Sequence, residues 1–169
     1  MTLATHIIAA GVATKPFLGR VSDPIIFVVA ILSHYLLDTI PHFDYKLLSI
    51  AWNEEGNKAK THFTTTLHTA TIDLLNIGID IAIGVAFLII LARPEITLTN
   101  FITYSLIIIG SILPDALQPI YILWKRFPMT QIQNLHDFWH SPIKLEINKK
   151  SLTFQGVLFL IAAIIVSLH

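Results

Sequence analysis

The sequence predicts an all-α fold: a polytopic membrane helical bundle of four to five spanning helices, one integral domain over residues 1–169, with a broken helix near Pro114. Three observations predict it. Hydrophobic residues make up 54% of the chain and charged residues 13%, with a mean hydropathy of +0.68, which leaves too little polar surface for a soluble domain of this length. Four apolar runs, Pro24 to Ile40, Thr69 to Ala92, Leu98 to Trp124 and Leu152 to Leu168, approach or exceed the roughly 20 residues needed to cross a hydrocarbon core. A backbone in lipid must satisfy its own hydrogen bonds, and these runs are too long and too evenly apolar for barrel strands, so they are read as helices.

Along the chain, a fifth run from Leu3 to Leu18 comes first. It is shorter, contains Gly11 and is interrupted by Lys15-Pro16; crossing, re-entry and an interfacial position are all open to it. Met1 to Thr14 lacks a basic leader and a clear cleavage site and is read as part of the mature fold. The second run leads into a polar loop, Tyr45 to Thr61, and the third ends at Arg93-Pro94. The fourth carries Pro114 and Pro119, which predict a break beside Asp115 and a wet cavity there. A longer connection, Lys125 to Ser151, precedes the last run.

Charge sets topology and excludes some partners. The formal net charge is zero, so nothing suggests nucleic acid; the lipid bilayer is the expected partner, and the oligomeric state is left open. Lys46, Lys58, Lys60, Lys125, Arg126, Lys144, Lys149 and Lys150 share one face, against Lys15, Arg20 and Arg93 on the other. The positive-inside rule then places the first face in the cytoplasm, for a multi-pass protein of the cell membrane. The absence of cysteine excludes disulfides, thiolate catalysis and cysteine-ligated zinc, and leaves histidine, carboxylate and water to hold any metal.

Ionisable groups in spanning segments are costly and each asks for a partner. In S-H-Y-L-L-D, His34 and Asp38 stand four apart on one helix face, and P-H-F-D follows directly with His42 and Asp44 just beyond the helix end. Asp73, Asn76 and Asp80 form a polar stripe on the third run, and a helix beginning near Thr61 places His62, but not His68, on the face of Asp73. Asp115 lies in I-L-P-D. L-H-D-F-W-H-S places His136 and His140 four apart, a recurrent metal-ligand spacing that lacks the glutamate of the H-E-x-x-H proteases. On the topology above His6, His34, Asp38, His42, Asp44, His62, Asp73, Asp115, His136 and His140 all lie toward the cytoplasmic face, with His169 opposite. The convergence points to a metal site drawn from His6, His34, Asp38, His62, Asp115, His136 and His140, with Asp44 or Asp80 as a general base or orienting carboxylate. Imidazole and carboxylate ligands favour zinc and also suit manganese or iron.

Through these motifs the chain resembles the bacterial membrane-bound metal-dependent hydrolases, small multi-pass proteins similar in motif style to zinc-dependent phospholipases C. The resemblance rests on Thr5-His6, the L-P-D of Leu113 to Asp115, the H-D-F-W-H-S of His136 to Ser141 and the S-H-Y-L-L-D of Ser33 to Asp38. A second alignment takes P-H-F-D as the proline-aspartate element, with His62 and His68 as the histidine pair. The resemblance implies a hydrolase acting on an ester or phosphodiester, with lipid head groups as the nearest substrates. Two alternatives come from the residues themselves: a proton or metal-ion carrier, suggested by the Asp73, Asn76 and Asp80 stripe, and a non-catalytic membrane scaffold in which the histidines only satisfy buried contacts.

Overall fold

The computed structural model describes residues 2–42, 46–51, 61–141 and 149–167, with side chains of the last segment described over 153–165. Six helices dominate them: α1 (Leu3–Thr14), α2 (Asp23–Asp38), α3 (Leu67–Ala92), α4 (Leu98–Leu123), α5 (Met129–Trp139) and α6 (Lys149–Ser167). A two-residue hairpin pairs β1 (Ile50–Ala51) with β2 (His62–Phe63) in antiparallel register, Ile50 opposite Phe63 and Ala51 opposite His62.

Local chemistry sets the boundaries. The Thr2 hydroxyl accepts from the Thr5 N–H at the start of α1, Thr66 and Thr69 form a reciprocal capping box on α3, and Thr97 accepts from Asn100 on α4. Each satisfies a backbone donor that a helix start leaves open. At its far end α3 stops at Arg93, whose left-handed backbone (φ 45°) closes the helix ahead of Pro94.

α3 and α4, each of 26 residues, are long and apolar enough to cross a membrane, at about 39 Å against a hydrocarbon core of about 30 Å. The other apolar runs form shorter helices. α1 has 12 residues, or about 18 Å, and lies inside the bundle against α2, α3, α4 and α6, so the first run is a buried helix and not a full-length span. Ile7, Ile8 and Ala10 of α1 form the core with Ile26, Ala30, Leu88 and Ile107.

The break expected near Pro114 is corrected: α4 continues through Pro114 and Pro119 to Leu123. Pro114 removes one helix hydrogen bond and crowds the preceding turn. The carbonyl that loses its helical donor is that of Gly110; next to it, the Ser111 carbonyl accepts from His34 Nδ1 of α2 at 2.7 Å.

Two glycines allow the closest helix approaches. A Cβ on Gly84 would stand 2.7 Å from the Ala4 backbone, joining α3 to α1, and one on Gly110 would stand 2.9 Å from the Ala30 Cβ, joining α4 to α2. Asp23 also accepts from Thr103 Oγ1 at 2.8 Å. Together with the Ala30–Gly110 and His34–Ser111 contacts, this runs α2 and α4 side by side in one direction.

Gly84→Val should therefore lower the thermal midpoint in detergent, with an overpacking cost of about 1–3 kcal/mol. Gly78→Ala, where a Cβ meets nothing within 4 Å, should leave the midpoint unchanged or raise it. Equal midpoints for Gly84→Val and wild type would contradict this packing.

Candidate metal centre

The cluster forms where the start of α1, the end of α2, the second half of α4 and the end of α5 meet. His34 and Asp38 are one turn apart on α2, so both face inward, and His42 follows once the helix has ended at Thr39. Asp115 comes from α4, His136 from α5, and His140 caps the end of α5. The Ser141 N–H donates to the Asp38 carbonyl at 2.8 Å, which ties the end of α5 to the end of α2.

Asp38 is the hub. Its side chain is 2% exposed, and its Oδ2 stands 3.1 Å from His34 Nε2 and 3.5 Å from His136 Nε2. Its Oδ1 stands 3.3 Å from His6 Nε2 and 3.8 Å from His42 Nε2. Asp115 Oδ1 completes the first set, 3.8 Å from His34 Nε2 and 3.3 Å from His136 Nε2. Ligands placed tetrahedrally about 2.1 Å from one ion stand about 3.4 Å from each other, the value these four separations bracket.

The polar groups are short of hydrogen-bond partners. Asp38 Oδ1, His34 Nε2, His136 Nδ1 and both ring nitrogens of His6 are buried without a well-aligned hydrogen bond. Buried polar atoms in this state cost about 1–3 kcal/mol each, and a cation among them would relieve that cost. The tautomers agree: the Nδ1 of His34 faces the Ser111 carbonyl and the Nδ1 of His42 faces the Ile40 carbonyl, each at 2.7 Å. An Nδ1–H donated to a carbonyl leaves the Nε2 lone pair free for a metal.

Two atom sets can hold a metal ion: His34, Asp38, Asp115 and His136, and a second set of Asp38, His42 and His140. Five of the seven residues expected to be ligands, His34, Asp38, Asp115, His136 and His140, thus come together. His6 is fully buried, stacks on His34 with ring centroids 4.0 Å apart and reaches the cluster through Asp38, outside both sets. His42 had been placed only beside the helix end. The sequence signal for it is the spacing His34, Asp38, His42, each four apart, even though the helix stops before His42.

Three expectations are corrected or fall elsewhere. His62 is exposed on β2, opposite Ala51, and lies outside both sets, because α3 begins at Leu67 after its Thr66 cap and not near Thr61. Asp80 is not at the cluster; it accepts from the Leu3 and Ala4 N–H groups at 2.7 and 3.2 Å and so anchors the start of α1 to α3. Asp44 lies outside the described residues. Asp73 is likewise an anchor, accepting from the Leu48 and Ser49 N–H groups at 2.9 and 2.8 Å. His68 is exposed.

Gln118 and Asp137 complete the surroundings. Gln118 Nε2 donates to Asp115 Oδ1 at 2.8 Å, and Asp137 Oδ1 accepts from Gln133 Nε2 at 2.8 Å while standing 3.8 Å from His136 Nδ1. A carboxylate behind the second nitrogen of a ligating histidine orients the ring. Burial would lower the His136 pKa, but the carboxylates of Asp115, Asp137 and Asp38 outweigh it and push it up to about 9. The cluster opens to solvent at Asp115, whose side chain is 28% exposed, and at the half-buried His140. Comparison with protein-family models, curated proteins and solved structures finds no match to this chain.

A ligating His136 must be neutral, whereas the metal-free residue holds a proton below about pH 9. Metal affinity should therefore rise with pH between 7 and 9, by up to about tenfold per unit from this group, and level off above. Competition against a fluorescent zinc indicator measures this; a pH-independent affinity would contradict it.

Proposed function

We propose that this chain is a multi-pass, membrane-embedded, metal-dependent hydrolase that acts on an ester or phosphodiester, such as a lipid head-group bond, at the cytoplasmic face of the cell membrane. Zinc is the favoured ion, with manganese or iron suited to the same donors. The observation that carries this reading is the set of buried His34, Asp38 and His136 with the partly exposed Asp115, whose ligand atoms all lie within 4.8 Å of one another. A divalent cation there would polarise an ester or phosphoryl oxygen and lower the pKa of water toward 7.

The chain's own residues divide the remaining work. The Ser111 carbonyl accepts from His34 Nδ1 and orients that ring, and the Asp137 carboxylate stands 3.8 Å behind His136 Nδ1. Asp115 is held by Gln118 and is the more exposed of the two cluster carboxylates. Of the two carboxylates expected as general base, Asp44 or Asp80, Asp80 instead anchors the start of α1.

The outer surface supports the membrane setting. Large apolar side chains are exposed along the helices, among them Leu74, Leu75 and Ile79 on α3 and Leu32 and Leu36 on α2. In water such a surface would drive aggregation; in lipid it is solvated. α5 presents Leu135, Phe138 and Trp139 outward, an amphipathic pattern suited to the interface where a head-group bond would lie. The carrier alternative loses its main support, since Asp73 and Asp80 hold backbone N–H groups instead of lining a path.

Purified protein in lipid nanodiscs should hydrolyse a phospholipid or a simple chromogenic phosphodiester, lose that activity to a chelator and regain it with zinc or manganese. Asp137→Asn should lower the rate about 10–100-fold, as expected when an orienting partner is lost, and His34→Ala should abolish it. Hydrolysis that survives chelation, or its absence from metal-replete protein on every ester tested, would overturn the reading.

A further inference from the structure

We propose that the centre holds two divalent cations bridged by the Asp38 carboxylate; this deepens the metal-dependent reading above and rests on it. Asp38 is the residue common to both atom sets that can hold an ion. Its two oxygens are divided between different partners. Oδ2 faces His34 and His136, which also converge on Asp115 Oδ1, whereas Oδ1 faces His6 and His42.

The second set has ligand character of its own. His42 Nε2 and His140 Nε2 stand 3.2 Å apart, and His42 Nδ1 is turned to the Ile40 carbonyl, which leaves its Nε2 directed at the cluster. His42 is 1% exposed, so a charge on that side would be largely shielded from water. Asp38 Oδ1 is buried and lacks a well-aligned hydrogen bond, although four histidine rings surround its carboxylate. A carboxylate that bridges two cations uses both oxygens, one to each, and two-metal hydrolytic centres place their ions about 3.5–4 Å apart in this manner.

The arrangement also divides the roles. The ion among His34, His136 and Asp115 lies beside the solvent-facing carboxylate, and the ion at His42 and His140 lies where the chain leaves α2 and α5. An ester or phosphodiester could then be held through two oxygens, which suits a phosphoryl substrate better than a carboxyl ester.

The test is metal stoichiometry on the full chain in detergent, loaded with manganese(II), freed of excess ion and assayed by elemental analysis and electron paramagnetic resonance. Wild type should hold two ions per chain with an exchange-coupled signal. The His42→Ala/His140→Ala double variant should hold one, with the isolated six-line manganese spectrum. If the double variant does not fold, titration of wild type serves instead: coupling should grow in as the second equivalent binds. One ion per chain in wild type, two ions without coupling, or two retained by the double variant would overturn the bridged pair and leave the single-ion reading standing. No bound ion would overturn both.

Discussion

A carboxylate as deeply buried as that of Asp38 has to be compensated by positive charge or by directed hydrogen bonds, and the means of compensation organise this end of the molecule. Four histidines from three helices and the segment after α2 point Nε2 at it within 3.8 Å, yet Oδ1 has no well-aligned hydrogen bond. Neutral imidazoles alone would be a poor answer to such a burial, because each would bring a desolvated lone pair of its own. A cation would reconcile the two, since the same groups could hold one. His6 reaches Asp38 from α1, which lies inside the bundle.

The rest of the fold holds that arrangement in place. Gly84 and Gly110 bring α1 against α3 and α2 against α4 at close range. Asp80 and Asp73 spend their charge on backbone N–H groups of Leu3, Ala4, Leu48 and Ser49, fixing the start of α1 and the loop before the hairpin. Pro114, in turn, sits in the helical turn whose Ser111 carbonyl sets the tautomer of His34. The anchoring carboxylates Asp73 and Asp80 thus lie on α3, while the cluster carboxylates Asp38 and Asp115 lie on α2 and α4, and what faces each of them differs.

That difference marks what was legible in the sequence. The helical class followed from composition and run length, and the grouping of His34, Asp38, Asp115, His136 and His140, which could hold an ion, from i, i+4 spacing together with convergence on one face. The role of Asp80 was not legible, because a carboxylate on a polar stripe looks the same whether it meets a proton path or the end of another helix. His62 was misplaced because its expected position assumed that α3 starts near Thr61, whereas the Thr66–Thr69 capping box starts it at Leu67. His42 carried the right spacing but fell beyond the helix, where spacing alone gives no direction.

The central claim is that the buried histidines and aspartates are metal ligands and not a self-satisfied polar core. X-ray absorption at the zinc edge on protein purified without chelators tests it most directly. The account expects a first shell of nitrogen and oxygen alone at about 2.0–2.1 Å, with imidazole outer-shell scattering that weakens in His34→Ala and His136→Ala. Protein that binds no zinc when supplied with it, or a bound ion whose spectrum shows no imidazole and is unchanged in both variants, would contradict it.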